Sequence, residues 1–600
     1  MKPVKQSILS PLAAAVVSID VTEGQLVAKD QIVAVLESMK MQTAIHAPVA
    51  GVVANLSIAL DATIQAGQLI CEIESADTQS GSTSAPIAEA VLSGTDNGLT
   101  QLNQELAYSQ DDARPEAVAR RHAKGYRTAR ENLYDLCDSD SFIEYGQLAV
   151  AAQRDRKTAD ALKVETPADG VITGLATING PEFGEQVAQV AVIVNDYTVL
   201  AGSQGYFHHR KIDRILDQAH KFGLPVVMYT EGGGGRPGDT DVKTQIAGLD
   251  VPSFANWAGL SGQVPLIAVN NGYCFAGNAA LFGCADIRIA TKTSWIGMAG
   301  PAMIEGGGLG SYKPTEIGPM DVQASNGVVD LVADDEAHAT RLAQSCLSYF
   351  QGDIQSWDCG DQQQLLEMMP SDRRYAYDIK KIIVQLADTD SFQELTQAHG
   401  QGIVTGFIRI EGRAMGLIAN NCKVLGGALD AEAADKAARF ITLCDSFSIP
   451  VLSLCDTPGF MVGPASEEQG AVHRMARLFI AGARMTTPMV TIFLRKGYGL
   501  GAMAMAGGSF HRPVYSAAWP SGEFGGMGLE GAVQLGFKKE LDAQPDQASR
   551  EALFDQLVAA MYEKGKATEA AAHLEIDGVI DPADTRAVVI KALNCAVLSS

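Results

Sequence analysis

The sequence lacks the arrangements of cysteine and histidine that bind zinc or build a hydrolase. Its ten cysteines never form a C-x-x-C pair, its ten histidines are scattered, and neither H-E-x-x-H nor G-x-S-x-G occurs. These absences exclude a zinc ribbon, a zincin peptidase and a nucleophile elbow. Because most of the cysteines lie in apolar runs, we interpret them as reduced thiols of a cytoplasmic protein, and we predict no metal site.

Positive charge and long apolar runs are also scarce. Lys and Arg number 46 against 70 Asp and Glu, for a formal net charge of -24. A chain this acidic has no general affinity for nucleic acid or for an anionic membrane, and no apolar run reaches the roughly 18 residues that span a bilayer. Lys2 and Lys5 precede ILSPLAAAVVSI as in a signal peptide. Pro11 interrupts that segment and its pattern recurs later, so we predict a strand there.

Residues 1–74 contain a short repeat at an offset of 37. PLAAAVVSI (11–19) matches PVAGVVANL (48–56), and the stretch ESMKM (37–41) lies at the junction of the two halves. Alternating Val, Ile and Leu between turns predicts a small all-β module with two-fold pseudosymmetry. Residues 75–112 are rich in Ser, Thr, Ala, Asp and Gln without an apolar period, which predicts a flexible linker.

The rest of the chain repeats on a larger scale. Four segments recur in the same order, at offsets that fall from 250 to about 225. The two clearest pairs are GVITGLATING (170–180) with GIVTGFIRIEG (402–412), and GLPVVMYTEGGG (223–234) with SIPVLSLCDTPG (448–459). In each copy, apolar strands enter glycine-rich turns that precede helix-compatible stretches. We therefore predict two related α/β domains in tandem, at residues 113–355 and 356–600.

Glycine turns occupy equivalent positions in the two copies. FAGNAA (275–280) and YGLGAMA (498–504) each lie where a strand stops and a helix begins, beside EGGGGR (231–236) and DTPGFMVG (456–463). Backbone N–H groups at a helix start lack an intrahelical acceptor, so they can hold an oxyanion or enolate without an ionisable side chain. The alternative is that these glycines only permit close packing. No catalytic base is visible, so a base has to come from elsewhere.

The first module resembles a biotin carboxyl carrier domain. That family attaches biotin to the lysine of an M-K-M motif, which implies biotin on Lys40 and recognition of Met39 and Met41 by a biotin protein ligase. The implied fold is a flattened all-β barrel of the biotinyl and lipoyl type. Lipoyl modules lack the paired methionines, so lipoylation is a second possibility, and an unmodified exposed lysine is a third.

Residues 113–600 resemble the carboxyltransferase β subunits of biotin-dependent acyl-CoA carboxylases along nearly their whole length. Matching stretches include TARENLYDLCDSDSFIE, GPAMIE, LRKGYG and IDGVIDPADTR. The resemblance implies two crotonase-like domains, the first for the acyl-CoA thioester and the second for biotin, with the active site formed across subunits of a hexamer. In that family carboxybiotin releases CO2, the ureido nitrogen of biotin removes the α proton, and two enolates form in two backbone holes.

Carried over residue by residue, the resemblance assigns three groups of site residues. The backbone of Gly277 and Asn278 would face the thioester oxygen, and that of Leu500 and Gly501 the biotin oxygen. The remaining contacts would be Gly459, Phe460 and Gly499 with biotin, and Gly233, Gly234, Arg236 and Met503 with the acyl-CoA. The position of Met503 influences acyl-chain choice in the family.

The chain departs from the family pattern at these turns. Asn278 and Leu500 stand where the family has a second glycine, and EGGGGR stands where it has DSGGAR. Backbone donors survive such changes, whereas the pocket shape can change, so the length of the acyl chain stays open.

No segment has the length or glycine-rich character of an ATP-grasp enzyme, so we expect a separate biotin carboxylase subunit as partner. A decarboxylase or transcarboxylase that uses the same half-reaction in reverse remains an alternative. So does a non-catalytic carrier scaffold.

Overall fold

We describe the protein from a computed structural model that covers residues 4–75, 96–236, 238–241 and 248–597. The chain divides into two compact units, residues 1–97 and 98–600. All ten cysteines are free thiols. Within the described ranges, no helix is both long and apolar enough to cross a bilayer, and no group of three metal-binding side chains is found.

The smaller unit is a pair of four-stranded antiparallel sheets, in the orders β1-β8-β6-β3 and β5-β4-β2-β7. Its strands are β1 (Lys5–Leu9), β2 (Ala14–Ile19), β3 (Leu26–Val27), β4 (Ile32–Ser38), β5 (Met41–His46), β6 (Gly51–Ala54), β7 (Thr63–Ile64) and β8 (Leu69–Ser75). Alternate residues of the strands, such as Val16, Leu36 and Ile73, fill the core between the sheets. Strands β2 and β4 correspond to β6 and β8 at the offset of 37, so the predicted pseudosymmetric β module is confirmed.

The larger unit contains two large sheets, a two-stranded sheet of β14 and β16, and the helices that cover them. Its strands are β9 (Ile143–Tyr145), β10 (Val171–Thr177), β11 (Gln189–Asn195), β12 (Val226–Tyr229), β13 (Leu266–Asn270), β14 (Tyr273–Phe275), β15 (Ile287–Thr291), β16 (Trp295–Gly297), β17 (Leu331–Ala333), β18 (Gln393–Leu395), β19 (Ile403–Ile410), β20 (Arg413–Asn420), β21 (Val451–Thr457), β22 (Met489–Tyr498), β23 (Tyr515–Ala518), β24 (Glu523–Gly525) and β25 (Gly578–Val579).

The helices of the first half and of the segment before it come first in the chain. They are α1 (Asp96–Ala107), α2 (Pro115–His122), α3 (Ala129–Leu136), α4 (Ala159–Glu165), α5 (Gly180–Phe183), α6 (Tyr206–Phe222), α7 (Ser253–Leu260), α8 (Gly277–Cys284), α9 (Pro301–Gly306), α10 (Met320–Ser325) and α11 (Glu336–Ser348). Those of the second half are α12 (Leu365–Met368), α13 (Ile379–Leu386), α14 (Ala431–Ser446), α15 (Pro464–Glu468), α16 (Ala471–Arg484), α17 (Gly499–Met505), α18 (Leu529–Gly536), α19 (Lys538–Asp542), α20 (Gln547–Lys564), α21 (Ala567–Ala572) and α22 (Thr585–Val597).

The two sheets have the same plan. One runs β17-β15-β13-β12-β11-β10-β9 and the other β18-β19-β20-β21-β22-β23-β25, with β24 beside β22. In each, two antiparallel pairs at one edge continue into parallel pairs. The parallel strands are buried on both faces, which is why they read as runs of Val, Ile and Leu. The large repeat is therefore an α/β architecture made twice.

The two halves share one hydrophobic core. Tyr349, at the end of the first half, stacks on Phe407 of strand β19 with ring centroids 5.1 Å apart. Phe350 lies between Phe407 and Phe447, at 5.6 and 5.0 Å. The predicted boundary between residues 355 and 356 falls in the connection between α11 and α12, but the packing across it is continuous.

The segment 96–112 differs from the linker predicted for residues 75–112. It holds helix α1, and the chain after it is anchored, since the Ser109 carbonyl accepts a hydrogen bond from Arg130 Nε at 2.9 Å. Glu105 is paired with Lys163 at 2.8 Å. Polar contacts with distant residues hold this segment in place. Its sequence therefore has no apolar period from which the order could be predicted. Residues 76–95 of the predicted linker lie outside the described residues.

Candidate active site

Lys40 lies on a two-residue hairpin loop between β4 and β5. Ser38 pairs with Met41, and the two residues between them adopt left-handed backbone conformations, with φ of 53° at Met39 and 66° at Lys40. Two successive left-handed residues make the tight turn that suits a twisted hairpin. Met39 is 96% exposed and Met41 73%. An exposed amine on a short turn fits a prosthetic group attached through an amide, and the methionines give a modifying enzyme an apolar surface.

In the first half, the candidate N–H groups open helix α8. Gly277 and Asn278 form its first turn, where N–H groups lack intrahelical acceptors. Ala276, directly before them, has φ 51° and ψ -119°, a conformation that L-residues rarely adopt. This strained residue turns the chain from strand β14 into the helix and brings the helix start to the glycine turn 231–236.

The side chain of Asn278 ties the helix to that glycine turn. It is fully buried, its Oδ1 accepts from the Gly234 N–H at 3.0 Å, and its Nδ2 donates to the Thr230 carbonyl at 3.1 Å. A Cβ on Gly232 would overlap the Asn278 amide. Two departures from the family pattern, Asn278 and the glycine at position 232, are therefore complementary, because Gly232 makes room for the Asn278 amide.

We predict that Asn278→Ala destabilises the protein and impairs the site. The substitution leaves the Gly234 N–H and the Thr230 carbonyl without partners, at a cost of about 1–3 kcal/mol for each group. Thermal unfolding should show a lower Tm, and turnover should fall because the glycine turn is no longer held. Asn256→Ala, which removes an exposed amide from helix α7, is the matched control and should leave both unchanged. An unaltered Tm for Asn278→Ala would contradict this role.

The glycine turn uses most of its own polar groups. The Gly233 N–H donates to the Ala201 carbonyl at 3.1 Å, and the Gly234 N–H is taken by Asn278. Neither N–H is therefore free for a ligand in this structure. The two residues shape the wall of the site instead of supplying its donors.

Arg236 does not fit its predicted role as a direct substrate contact. Its guanidinium donates to Asp169 Oδ1 at 2.6 Å and to Asp239 Oδ1 at 2.8 Å, and its side chain is only 5% exposed. Two carboxylates already neutralise the charge, so it is not available to a phosphate. Arg236 fixes the end of the glycine turn.

A buried ion pair precedes the glycine turn of the first half. Glu231 accepts two hydrogen bonds from Arg121, one of them 2.9 Å long between Nη1 and Oε1. Burial raises the pKa of Glu231 to about 7, against the opposing effect of Arg121. The second half has an equivalent buried ion pair. The fully buried Asp456, the first residue of the turn 456–463, is paired with Arg495 at 3.0 Å. Sequence reasoning missed both pairs.

In the second half, the four residues Gly459, Phe460, Leu500 and Gly501 come together at the start of helix α17. A Cβ on Gly501 would lie 2.7 Å from the Gly459 Cα and 2.9 Å from the Phe460 nitrogen, so only glycine permits this approach. Leu500 is 62% exposed, so its side chain does not enter the contact between helix α17 and the turn 456–463. Gly499, with φ 58°, begins the helix.

A cavity opens beside helix α17. It has a volume of about 520 Å3 and its lining includes Gly499, Met503, Phe510, Phe524 and Ala570. Phe524 and Ala570 are buried and Met503 is 36% exposed, whereas Lys564, Glu569 and Glu575 also line the cavity, so its wall is partly apolar and partly charged. The predicted specificity residue Met503 thus lies at the edge of a real cavity.

Two buried lysines occupy equivalent positions in the two halves. Lys211 Nζ donates to the Ala168 carbonyl at 3.0 Å and also to the Val171 carbonyl. Lys436 Nζ donates to the Ile403 carbonyl at 2.9 Å. Burial lowers the pKa of each to about 8. Val171 and Ile403 begin the matched strands β10 and β19, and the two lysines lie on the matched helices α6 and α14. A lysine at the same position of both helices is a sequence signal from which this pair could have been predicted.

The halves also share a left-handed turn that sequence analysis missed. Leu200 and Leu425 have φ of 49° and 48°, which leucine rarely adopts. They lie in VLAG (199–202) and VLGG (424–427), which match at the offset of 225. A fifth repeat match was therefore present in the sequence.

Comparisons with known proteins agree with this architecture. The carboxyl transferase domain family matches residues 120–599, and the biotin-requiring enzyme family matches residues 6–73. The chain is 33% identical over 510 residues to the methylmalonyl-CoA carboxyltransferase 12S subunit of Propionibacterium freudenreichii subsp. shermanii, covering 83% of this chain and 93% of that protein.

Two solved structures are similar along most of the chain. A single-chain, multi-domain long-chain acyl-CoA carboxylase is 49% identical with a TM-score of 0.79, covering 99% of this chain. The chain spans 58% of the length of that enzyme. A transcarboxylase 12S structure, described as a hexamer assembly with methylmalonyl-CoA bound, is 30% identical with a TM-score of 0.72, covering 88% of this chain and 98% of that one.

Proposed function

The chain belongs to the carboxyl transferase family and carries a biotin domain before the transferase, and from this premise we propose that it carboxylates an acyl-CoA at its α-carbon. The observation that carries the proposal is that one chain contains both an exposed lysine on a hairpin and two helix starts lined by glycine. Biotin held on Lys40 supplies the carboxyl group and the base that the protein side chains do not provide.

The backbone of each half has one task in this reaction. The N–H groups of Gly277 and Asn278 hold the thioester oxygen as negative charge develops on it. The N–H groups of Leu500 and Gly501 hold the carbonyl oxygen of the prosthetic group, against a wall formed by Gly459 and Phe460. Neutral donors suit this task because they need no proton exchange and are fixed before the reaction begins.

The finer architecture belongs to the same proposal. We assign a flattened biotinyl barrel to residues 1–74 and crotonase-like domains to residues 113–355 and 356–600, supported by the common strand order of the two sheets. The hexamer named for the 12S structure supports a hexameric core here. A separate biotin carboxylase and a biotin protein ligase would load Lys40, in a cytoplasm that keeps the ten thiols reduced.

A transcarboxylase or decarboxylase is the second candidate, favoured by the similarity to the 12S subunit. The same groups would then serve transfer in the reverse direction. The scaffold alternative finds no support in the geometry, because Asn278 braces the turn and Leu500 points its side chain away from the contact of helix and turn.

The function is tested by carboxylation of acyl-CoAs with two to sixteen carbons. The biotinylated chain, a biotin carboxylase, ATP and labelled bicarbonate should give an acid-stable labelled product. A parallel assay with malonyl-type CoA esters measures decarboxylation. Product from the second assay alone would support the reverse activity, and product from neither would overturn the proposal.

Longer acyl chains are the substrate class that the site favours. The cavity of about 520 Å3 beside Met503 exceeds what a two-carbon chain needs, and Met503, Phe510 and Phe524 give it an apolar side. The similar solved enzyme of 49% identity is a long-chain acyl-CoA carboxylase. Both observations support a binding mode in which the acyl chain extends from the reacting carbon toward helix α17.

We predict that Met503→Trp narrows the range of acyl chains. The indole would fill the edge of the cavity, so kcat/KM for a sixteen-carbon acyl-CoA should fall by about tenfold or more relative to a three-carbon one. Val472→Trp, which places the same ring at a 75% exposed position, controls for added bulk. An equal loss for all chain lengths would mean that the cavity holds another part of the reaction.

A further inference from the structure

A small buried chamber lies behind the glycine turn of the first half. It is bounded by Arg121, Asn132, Asn195, Tyr197, Glu231 and Asn271, among others, and its volume is about 10 Å3. It is found at the carboxyl ends of the adjacent parallel strands β11, β12 and β13, which end beside Asn195, Glu231 and Asn271. That volume is close to the smallest that admits one water molecule.

Three asparagines leave polar atoms without partners at this chamber. Asn132 Oδ1, Asn271 Oδ1 and both amide atoms of Asn195 make no hydrogen bond within the described residues. They account for four of the twelve such buried atoms in those residues. Asn132, Asn195 and Asn271 are 3–4% exposed, so solvent does not satisfy them. Buried amides without partners are costly, and four in one place call for a ligand.

The orientation of two of these amides is fixed by Glu336. Its Oε2 accepts from Asn132 Nδ2 at 2.6 Å and from Asn271 Nδ2 at 3.2 Å. Rotating either amide would set two oxygens against each other, so the carbonyl oxygens of both asparagines are the atoms that lack a donor. Asn195 adds an N–H donor that lacks an acceptor.

We propose that the chamber binds one water molecule that fixes the base of the glycine turn. The water donates to Asn132 Oδ1 and Asn271 Oδ1 and accepts from Asn195 Nδ2, which satisfies three of the four unpartnered atoms and is the usual set of about three partners for a buried water. A metal cation is disfavoured, because the two carboxylates that line the chamber, Glu231 and Asp196, are already paired with Arg121 and Arg114. An apolar ligand would leave all three asparagines unsatisfied.

The water joins helix α3 to the ends of strands β11 and β13, beside the residue that begins the glycine turn. Glu231 lines the chamber and continues directly into Gly232, and the turn is held at its other side by Asn278. In the second half the matched Asn420 is half satisfied, because its Oδ1 accepts from the Asp456 N–H at 3.1 Å and only its Nδ2 lacks a partner. The role in positioning rests on the proposed function, since the turn is a wall of the acyl-CoA site. The presence of the bound water does not depend on the proposed function.

Two experiments test the inference separately. A high-resolution crystal structure of the full biotinylated chain should show one density peak with three neighbours at about 2.7–3.2 Å. An empty chamber, asparagines rotated to pair with one another, or a peak that thallium replaces with an anomalous signal would each overturn the water. This test holds even if no acyl-CoA is a substrate.

The kinetic test uses Asn195→Leu, which fills the chamber without its donor. We expect the KM for acyl-CoA to rise about tenfold while kcat changes less than twofold and Lys40 stays biotinylated. Asn195→Ser, which restores a hydroxyl and room for water, should recover part of the loss. Ser453→Ala, which removes another unpartnered buried hydroxyl in the second half, is the matched control. A fall in kcat of Asn195→Leu as large as its rise in KM, or a rise in KM of Asn195→Ser as large as that of Asn195→Leu, would contradict a positioning role.

Discussion

Lys40→Arg will abolish carboxyl transfer and leave no biotin on the chain. Arginine keeps the positive charge and can adopt the same backbone, but its delocalised guanidinium does not form the amide that a lysine amine forms. The hairpin of residues 38–41 should therefore fold as before, with only the attachment point lost. Intact mass after coexpression with a biotin ligase measures the modification, and incorporation of labelled bicarbonate into acyl-CoA measures the reaction.

Lys29→Arg is the matched control, because Lys29 is another exposed lysine of the same β unit. It should retain the biotin increment and full turnover. A wild-type chain without any biotin-sized increment would end the assignment of a carrier domain. A biotin increment that persists in Lys40→Arg would move the attachment site to another lysine.

Gly501→Pro will stop carboxyl transfer by a different route, because Lys40 remains biotinylated. Proline removes the backbone N–H that we assign to the second hole, and loss of one such donor typically lowers kcat about 100- to 1,000-fold. The ring also meets the turn, since even a Cβ at this position would lie 2.6 Å from the Gly459 carbonyl carbon. We therefore expect turnover at background level.

Gly501→Ala separates the two causes. Alanine keeps the N–H but still collides with Gly459, so its loss of turnover measures the cost of moving the turn. Gly531→Ala serves as the control, because a Cβ there has its nearest neighbour at 3.7 Å and alanine favours the helix. Near-normal turnover of Gly501→Pro would exclude the backbone of residue 501 from the reaction.

The sequence predicted the features that depend on local pattern. The repeat of apolar strands and glycine turns gave both α/β halves, and the offset of 37 gave the β module, because buried parallel strands and tight turns restrict composition. The attachment point on Lys40 was predicted from the resemblance of ESMKM to the M-K-M motif of biotin carrier domains, and the structure places that lysine on an exposed turn.

Features made by distant partners were missed or misjudged. Arg236 was predicted from EGGGGR as a substrate contact, but its guanidinium is paired with two carboxylates, one of which, Asp169, is 67 residues away. Glu231 and Arg121 are separated by 110 residues, so no short motif joins them. The segment 96–112 looked like a linker because its Ser109 carbonyl and its Glu105 carboxylate are held by the distant side chains Arg130 and Lys163, which leave no apolar period in the segment.

The aromatic packing of Tyr349, Phe350, Phe407 and Phe447 across the middle of the larger unit bears on protein engineering. A chimaera that takes one half from a homologue would join rings that never evolved against each other. Cutting the chain at residue 355 would leave a wide apolar surface on both fragments, and these would aggregate sooner than they would reassemble. Substrate range is therefore better altered one cavity residue at a time than by exchange of halves.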